Sequence, residues 1–544
     1  MSPRRLATGL AGAAAVISLI TLAARVVGFG RWLVYSHTVS GLCVGNAYSA
    51  ANQVPNVLYE VVAGGALAGA VVPLLAGPLG RMADHPDRSR AQVDQISSAL
   101  LTWTLLVLVP VAVLLTALAG PLAGTLVDEA ACPGGTQLAA RFLRVFAPQV
   151  VLYGIGVVLT GILTAKHRFV GPALAPLLSS LAVIAAYLTF GWVVGPSRQV
   201  RADPAALPAV GEALLAWGTT AGVAVMTLPL LWPVLRSGVR LRPTLHFPSG
   251  VAARARSLAG AGVAALMAQQ ASVVAVLMIQ RSSGDPATLN IFQYTQAVYL
   301  LPYAVLVVPL ATAAFPRLSR HAALAERPEF ARAAATTTRV VVLISFVAAG
   351  LLIAVSGPVA DFFGALDRAD VQVMGPALAA MAPGLVGFAL IAHLSRALYA
   401  LERGRAAATA TVAGWLVVVV AMTGFAFLLP GRLAAVALTA GNTVGMSVAA
   451  VALLVAMRRA AGSESLDRVP ASLVTGLVAG TAGAAAGWVC AGPLGDWLAA
   501  RVTSPLLGAL ATGLAAGVVA LTVAGAVLLA GDRDTVRLVL RRGR

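Results

Sequence analysis

Fourteen apolar runs follow one another along the chain, separated by short polar stretches. A helix needs about 20 apolar residues to cross a hydrocarbon core of about 30 Å. The pattern predicts an all-α polytopic membrane protein with about 14 transmembrane helices. The predicted spans lie approximately at 8–30, 44–78, 92–120, 138–165, 170–195, 206–235, 254–281, 288–316, 334–357, 373–402, 406–429, 431–457, 471–493 and 504–530.

The overall composition agrees with this pattern. Of the 544 residues, 59% are hydrophobic and only 11% are charged, and the mean hydropathy is +0.88. A soluble domain has about 45–50% apolar and about 25% charged residues. The chain therefore has too little polar surface for a water-soluble globule, and it is too rich in Leu, Val and Ala to be disordered.

The basic residues follow the positive-inside rule. The net charge is +18, and 27 of the 38 basic residues fall in alternate loops on one side, against seven in the loops of the other side. Cytoplasmic loops carry such an excess of basic residues. We therefore expect both termini in the cytoplasm, with the first run kept as an uncleaved helix. Basic residues confined to short loops do not predict nucleic-acid binding.

Similar stretches recur at the inner ends of even-numbered spans. Val72-Pro73 and Phe315-Pro316 end spans two and eight, and a second pair of stretches ends spans four and ten, at offsets of 243 and 235 residues. These offsets predict a duplicated six-helix bundle, as in many secondary transporters. The predicted division is an N-lobe at 1–235, a C-lobe at 236–460, and helices 13–14 with a basic tail at 461–544. Glycines at four-residue spacing predict that the last pair packs closely.

Polar residues inside the first two spans call for a functional explanation. A charge within a spanning helix costs at least about 2.5–3.5 kcal/mol. Arg25 lies late in span one, and Arg31 follows directly after Gly28 and Gly30, which favour an unwound segment there. Span two is expected to line a hydrated cavity, and the alternative is that Glu60 pairs with Arg25 or Arg31. The polar and helix-breaking residues of span two are Asn46, Asn52, Gln53, Pro55, Asn56, Glu60, Gly64 and Gly65.

Other polar residues have simpler explanations. His393 and Arg396 lie three apart on one face of span ten, where Arg396 is expected to extend to the membrane interface. The three cysteines, Cys43, Cys132 and Cys490, are expected to be inert small hydrophobes, and a Cys43–Cys132 disulfide is the alternative.

The sequence carries no readable catalytic or cofactor signature. It has no Walker sequence, no His/Cys/Asp cluster at metal-ligand spacing and no Ser-His-Asp arrangement. We therefore expect no catalytic residue, no metal site and no cofactor. The expected activity is transport and not catalysis.

Several motifs resemble those of one bacterial family. Ala24-Arg25-Val26-Val27-Gly28-Phe29-Gly30-Arg31 is similar to the first-helix motif of the MurJ (MviN) lipid II flippases. Further matches follow in order over roughly residues 15–410. They are Asn46-Ala47-Tyr48, Pro55-Asn56, Gly64-Gly65-Ala66-Leu67, Val72-Pro73, Arg168-Phe169, Ala216-Trp217-Gly218, Phe315-Pro316 and Arg396-Ala397-Leu398-Tyr399-Ala400-Leu401.

The resemblance implies a V-shaped fold of the multidrug/oligosaccharidyl-lipid/polysaccharide exporter superfamily. Two six-helix lobes would enclose a central cavity, and the last two helices would form a groove for a lipid tail. The implied activity is flipping of lipid II, the undecaprenyl-pyrophosphate-linked peptidoglycan precursor, across the bacterial plasma membrane by alternating access. The implied partners are lipid II or a related polyprenyl-pyrophosphate lipid, membrane lipids and cell-wall synthesis proteins.

The resemblance and the polar pattern together assign roles to residues of spans one, two and ten. Arginine can hold a pyrophosphate through a fixed, bidentate fork. The expected substrate-binding residues are Arg25, Arg31, Asn46, Asn52, Asn56 and Glu60. The expected gating or structural residues are Gly28, Gly30, Pro55, Gly64, Gly65 and Arg396.

Some family positions differ in this chain. Tyr59 and Glu60 occupy the stretch where the family has a cavity arginine, and Ala297 replaces another. Spans seven and eleven contain no carboxylate, so the family's sodium site is not supported. Two alternatives to lipid II flipping therefore stay open. The first is export of another polyprenyl-linked or amphiphilic substrate on the same scaffold, and the second is a non-transporting scaffold for cell-wall enzymes.

Overall fold

The computed structural model describes residues 3–61, 68–252, 263–429 and 431–531, and within these ranges the chain is helical with no strand. The described residues form two compact units, residues 1–270 and 271–544. The division into two lobes and a C-terminal pair stays a prediction.

The spans predicted from the apolar runs correspond to helices. Within the described ranges, twelve helical segments are long and apolar enough to cross a membrane. A thirteenth consists of Met374–Met381 and Gly384–Ala400, which meet at an angle of 43°. The remaining predicted span, 44–78, corresponds to the two helices Cys43–Tyr59 and Ala68–Gly80. The all-α polytopic fold is therefore confirmed.

The described part of unit 1 contains ten complete α-helices, and its core lies where Ala68–Gly80 (α3), Pro86–Ala117 (α4) and Gly135–Ala165 (α6) meet. Small and branched apolar side chains fill this core, among them Val71, Ile96 and Leu159, each at most 1% exposed. In a membrane such packing holds helices together mainly by van der Waals contact. The helices are α1 (Pro3–Thr38), α2 (Cys43–Tyr59), α3 (Ala68–Gly80), α4 (Pro86–Ala117), α5 (Ala119–Leu126), α6 (Gly135–Ala165), α7 (Val170–Val194), α8 (Arg198–Ala202), α9 (Ala209–Thr227) and α10 (Leu231–Arg236).

Helix α1 corrects one expectation. It continues without interruption through Gly28 and Gly30, so the predicted unwound segment is wrong. A glycine in a helix costs only about 1 kcal/mol relative to alanine. Breaking backbone hydrogen bonds in an apolar environment costs several kcal/mol for each group left unpaired. The continuous helix is therefore the more stable choice.

Helix α2 corrects a second expectation. Pro55 lies inside the helix, which continues to Tyr59, so the predicted break midway is wrong. A proline removes one backbone donor but does not by itself end a membrane helix, because neighbouring groups can satisfy the freed carbonyl. The α-helix extends one turn beyond Pro55 to Tyr59, and the Glu60 amide donates to the carbonyls of Asn56 and Val57.

The cysteines correct a third expectation. Cys43 and Cys132 form a disulfide with a Cα–Cα distance of 5.5 Å, whereas Cys490 is free. The expectation that all three are inert hydrophobes is therefore wrong for this pair. The tertiary fold brings the two cysteines together: the first residue of α2 lies beside the loop before α6, although 89 residues separate the cysteines in sequence.

An extended segment, residues 239–247, lies along α4. We call it the strap. The backbone amides of Arg240, Arg242 and Thr244 donate to side chains of α4, at Asp94 Oδ1 (3.0 Å), Ser98 Oγ (2.9 Å) and Thr102 Oγ1 (3.1 Å) respectively. Two residues of extended chain advance about 6.6 Å and four residues of helix about 6.0 Å, so the two repeats stay in register.

Unit 2 contains the remaining described helices, and the division from unit 1 falls within α11 (Val263–Ser282). Its core includes Leu318, Val341 and Leu453, each at most 1% exposed. These residues lie on Val308–Ala323 (α13), Arg327–Ala354 (α14) and Ala434–Ala461 (α19), and Gly384–Ala400 (α17) completes the core. The helices are α11 (Val263–Ser282), α12 (Thr288–Pro302), α13 (Val308–Ala323), α14 (Arg327–Ala354), α15 (Ser356–Leu366), α16 (Met374–Met381), α17 (Gly384–Ala400), α18 (Gly404–Leu428), α19 (Ala434–Ala461), α20 (Val469–Ala499) and α21 (Pro505–Gly531).

The glycines of α20 serve close helix packing, as the sequence predicted. A Cβ atom at Gly480 would lie 2.6 Å from the Phe346 carbonyl oxygen of α14. A Cβ atom at Gly487 would lie 2.7 Å from the Ala516 carbonyl oxygen of α21. Helix α20 therefore packs backbone against backbone on two sides.

Candidate functional site

Helix α2 carries a polar face in unit 1. Asn52, Asn56 and Glu60 follow one another at four-residue spacing, which places them on one side of the helix. Helix α6 packs against α2 and carries Gln149 and Tyr153 at the same spacing. Two polar faces therefore lie on neighbouring helices within unit 1.

One direct hydrogen bond joins the two polar faces. The Tyr153 hydroxyl donates to Asn56 Oδ1 over 3.0 Å. The rings of Tyr59 and Tyr153 lie against each other with their centroids 4.4 Å apart. On the same face of α2, Asn52 Oδ1 is buried and accepts no hydrogen bond from the described part of the chain. An unpaired buried amide oxygen costs about 1–3 kcal/mol, so this face has an acceptor available for a ligand or water.

The polar face of α2 ends at a cavity of about 510 Å³ within unit 1. Glu60 and Tyr59 line it together with residues of α3, α6, α7 and α9. No described residue forms an ion pair with Glu60. The expected alternative, a structural pairing of Glu60 with Arg25 or Arg31, is therefore absent from the described residues. The lining residues that carry hydroxyl groups are Tyr59, Tyr153, Thr160, Thr164 and Thr227.

The two arginines of α1 differ in their surroundings. Arg31 is half-buried, and its guanidinium carbon lies 5.8 Å from the centre of the Trp32 ring. It is also within electrostatic range of the Tyr153 and Tyr187 hydroxyls. Arg25 is exposed. Arg31 therefore belongs to the polar side of unit 1, whereas Arg25 points away from the core of unit 1.

Asn46 lies at the opposite end of α2 from Glu60. It is only 3% exposed, and the neighbouring Tyr48 hydroxyl makes hydrogen bonds with the hydroxyls of Tyr187 (2.8 Å) and Thr219 (2.7 Å). This end of α2 is thus a packed and hydrogen-bonded interior.

The residues expected to act in gating lie in ordinary helical settings. A Cβ atom at Gly30 would meet nothing within 4 Å, and one at Gly28 only the Ser180 hydroxyl at 4.0 Å. Arg396 is half-buried and donates to the Ala392 carbonyl of its own helix, and nearby His393 contacts the Thr337 hydroxyl at 3.1 Å. Gly64 and Gly65 lie outside the described residues.

Sequence reasoning missed the part of the site that α6 contributes. Gln149 and Tyr153 do not stand out in the sequence because each is a single polar residue in a strongly apolar run. The available signal was their four-residue spacing, which repeats that of Asn52 and Asn56. Gln149 Nε2 donates to the Thr220 hydroxyl over 2.9 Å, and its Oε1 is buried without a partner in the described residues.

Comparisons with known proteins point to one family. A family model described as "Lipid II flippase MurJ" matches residues 40–494. The chain is 25% identical over 399 residues to a probable lipid II flippase MurJ of Rhizobium meliloti, covering 72% of this chain and 70% of that protein. It is 28% identical over 399 residues to the lipid II flippase MurJ of Burkholderia cenocepacia, covering 71% of this chain and 72% of that protein.

Solved structures agree on the fold. A lipid II flippase MurJ in an inward closed conformation superposes with a TM-score of 0.70 at 17% identity, covering 96% of this chain and 99% of that one. An inward-facing multidrug resistance MATE family transporter of the MOP superfamily superposes with a TM-score of 0.63 at 16% identity, covering 80% and 94%. At these identities the likeness concerns the fold alone.

Proposed function

Because this chain belongs to the lipid II flippase MurJ family, we propose that it flips lipid II from the inner to the outer leaflet of the bacterial plasma membrane by alternating access. The observation that carries this conclusion is the match of the family model over residues 40–494, well over half of the chain. The protein is a transporter and not an enzyme.

The chemistry of unit 1 supports this activity. The sugar-peptide headgroup of lipid II needs hydrogen-bond partners where the surrounding lipid offers none. The polar face of α2 provides them, with a buried amide oxygen at Asn52 and a carboxylate at Glu60. An unpaired intramembrane polar group is costly and is therefore a mark of a functional site.

We assign the substrate contacts as follows. Arg25 and Arg31 bind the pyrophosphate, because guanidinium groups form bidentate, charge-assisted hydrogen bonds with phosphate oxygens. Asn52, Asn56 and Glu60 contact the headgroup, and Asn46 joins them only after the packed end of α2 has opened. The assigned conformational or structural positions are Gly28, Gly30, Pro55, Gly64, Gly65 and Arg396.

The protein is a multi-pass membrane protein, and we propose that both termini lie in the cytoplasm. The distribution of basic residues supports this orientation. The Cys43–Cys132 disulfide supports it as well, because disulfides persist in oxidising compartments outside the cytoplasm. Cell-wall synthesis proteins are proposed as further partners, since exported lipid II must reach the enzymes that consume it.

The test is complementation of a bacterial strain depleted of its own lipid II flippase. Transport is read from the enzymatic accessibility of lipid II in the outer leaflet. We expect rescue by the wild-type chain and a loss of at least tenfold in accessible lipid II for Arg31→Ala. A loss of this size corresponds to 1.4 kcal/mol or more. Arg25→Ala is also expected to lower the amount of accessible lipid II.

The matched control is Arg198→Ala, which removes an exposed arginine of the short helix α8. This variant should rescue as well as the wild type. Absence of rescue by a wild-type chain that is verified in the membrane would contradict lipid II as the cargo. That result would favour the other lipid-linked or amphiphilic substrate. Full rescue by both α1 variants would instead contradict the assigned arginine contacts.

A further inference from the structure

The Glu60 cavity has a charge character opposite to that needed for a pyrophosphate. Its described lining contains the Glu60 carboxylate and no basic residue. Within unit 1 the half-buried Arg31 does not line it, and neither does the exposed Arg25. A carboxylate with no ion-pair partner in a membrane-embedded cavity favours a positively charged occupant.

The remaining lining suits an organic cation. The rings of Tyr59 and Tyr153, which are tilted by 37° to each other, lie at its wall, and an aromatic face attracts a cation within about 6 Å of its centre. Apolar residues complete the lining, among them Val72, Met226 and Leu230. A volume of about 510 Å³ falls in the range of about 300–1,000 Å³ that is typical of small-molecule pockets.

A metal ion fits this lining less well. Hard divalent ions take about six oxygen ligands at short distance. The described residues contain no group of three or more His, Cys, Asp or Glu side chains that could hold a metal ion. A single carboxylate beside aromatic and apolar walls matches a cation that carries its own apolar body.

We propose that the cavity between α2, α6 and α7 is a binding site for an organic cation, with Glu60 as the counter-ion and Tyr59 and Tyr153 as the aromatic wall. The cationic group has two sources, an amine on the peptide of the lipid-linked cargo or a separate lipophilic cation. The inference goes beyond lipid II transport and rests on the lining of the cavity. Cation binding can therefore be found or not found whether or not lipid II is the transported substrate.

The test compares two probes of equal size and opposite charge. Tetraphenylphosphonium and tetraphenylborate are titrated into the purified full-length protein in detergent, and binding is measured by equilibrium dialysis. We expect saturable binding of the phosphonium and at least tenfold weaker binding to Glu60→Gln. Tyr59→Leu should weaken phosphonium binding several-fold, because it removes one aromatic face and leaves the carboxylate.

The control is Glu464→Gln, which makes the same charge change at an exposed residue of unit 2. It should bind the phosphonium as the wild type does. Thermal unfolding and size-exclusion profiles establish that each variant is folded, and Tyr59→Leu tests the site even if Glu60→Gln fails to fold. Equal phosphonium binding by wild type, Glu60→Gln and Tyr59→Leu overturns the proposal, as does tetraphenylborate binding that depends on Glu60 in the same way.

A second arm distinguishes the two sources of the cation. Lipid II with a free peptide amine and lipid II with that amine acetylated are each added as competitors of bound phosphonium. Displacement by the free amine form alone supports the cargo's ammonium as the occupant. Displacement by neither form, with Glu60-dependent phosphonium binding intact, supports a separate lipophilic cation.

Discussion

Glu129 illustrates how a single side chain orders the loop before α6. Its two carboxylate oxygens accept the backbone amides of Gly134 (2.7 Å) and Thr136 (3.1 Å). These amides lie at the start of α6, where helical donors have no partner within the helix. Hydrogen bonds from the Thr136 side chain and then from the Gly134 backbone lower the pKa of Glu129.

The sign of this pKa shift determines a pH dependence. A carboxyl group whose pKa is lower in the folded state stabilises the fold above its unfolded pKa of about 4.3. That contribution is lost as the pH falls through the folded pKa. We expect Glu129→Gln to lower the free energy of unfolding by no more than about 1 kcal/mol at pH 7, with the difference shrinking below about pH 4.

Thermal unfolding of both proteins at pH 7 and pH 3.5 checks this expectation. The exposed acid Glu464, changed to Gln, is the control and should show no such difference at either pH. A Glu129→Gln effect of equal size at both pH values would show that the ionised carboxylate is not the stabilising species.

Arg201 is a second residue whose role is structural. It is 1% exposed, and it donates to the carbonyls of Thr38 (2.6 Å) and Ser197 (2.9 Å) while lying over the Phe190 ring. Thr38 ends α1, where a cation also meets the negative end of the helix dipole. Lysine cannot reproduce this forked geometry.

We therefore expect Arg201→Lys to lower the stability by about 1–3 kcal/mol, the cost of leaving buried polar groups unpaired. Thermal unfolding in detergent measures it. Arg198→Lys, three residues earlier in the same short helix but exposed, should change the melting temperature little. Equal melting temperatures for the two variants would mean that the buried guanidinium can be replaced by any cation.

At the scale of elements, the strap makes a specific prediction about α4. Ser98 accepts the Arg242 amide and donates to the Arg240 carbonyl (3.3 Å), so Ser98→Ala removes both contacts. Loss of about 1 kcal/mol of local stability should speed amide hydrogen exchange of residues 239–247 on the order of fivefold. Hydrogen exchange with mass spectrometry measures this change.

The neighbouring Ser97 provides a matched control. It is buried, and its hydroxyl has no hydrogen-bond partner among the described residues. Ser97→Ala therefore removes the same atom one position away without touching the strap. If both variants exchange alike over residues 239–247, the side-chain ladder does not hold the strap.

The elements also show what the sequence can predict here. Apolar runs located nearly all the spans because lipid imposes length and hydrophobicity on each helix separately. Residue-by-residue helix preferences gave wrong predictions where the membrane environment outweighs them. Gly28 and Gly30 favour a break in water, but lipid penalises unpaired backbone more than glycine penalises a helix. The strap was missed because its partners lie more than 140 residues away.

The sequence predicts only the part of the candidate site that lies on α2. Asn52, Asn56 and Glu60 were visible because several polar residues in one apolar span stand out. Their partners on α6 did not stand out, and only packing brings Tyr153 to Asn56 across 97 residues of sequence. The sequence favours free cysteines over the Cys43–Cys132 disulfide for the same reason, since an odd cysteine count carries no information about distance in the fold.

At the scale of the whole molecule, two independent observations favour one orientation in the membrane. Basic residues are concentrated in alternate loops, and the disulfide requires an oxidising compartment at its end of unit 1. Arg201 belongs to that same end, because it contacts the last residue of α1. The first turn of α4, which contains Arg88, should then face the cytoplasm.

We therefore expect opposite labelling of two single cysteines introduced with Cys490 changed to Ser and the disulfide retained. On intact cells, a membrane-impermeant maleimide should label Arg198→Cys and leave Arg88→Cys unlabelled, and both should react after permeabilisation. If Arg88→Cys alone were labelled on intact cells, the orientation in the membrane would be the opposite of the one proposed. It would place the disulfide in the reducing cytoplasm and the basic loops outside, so the charge argument and the redox argument would fail together.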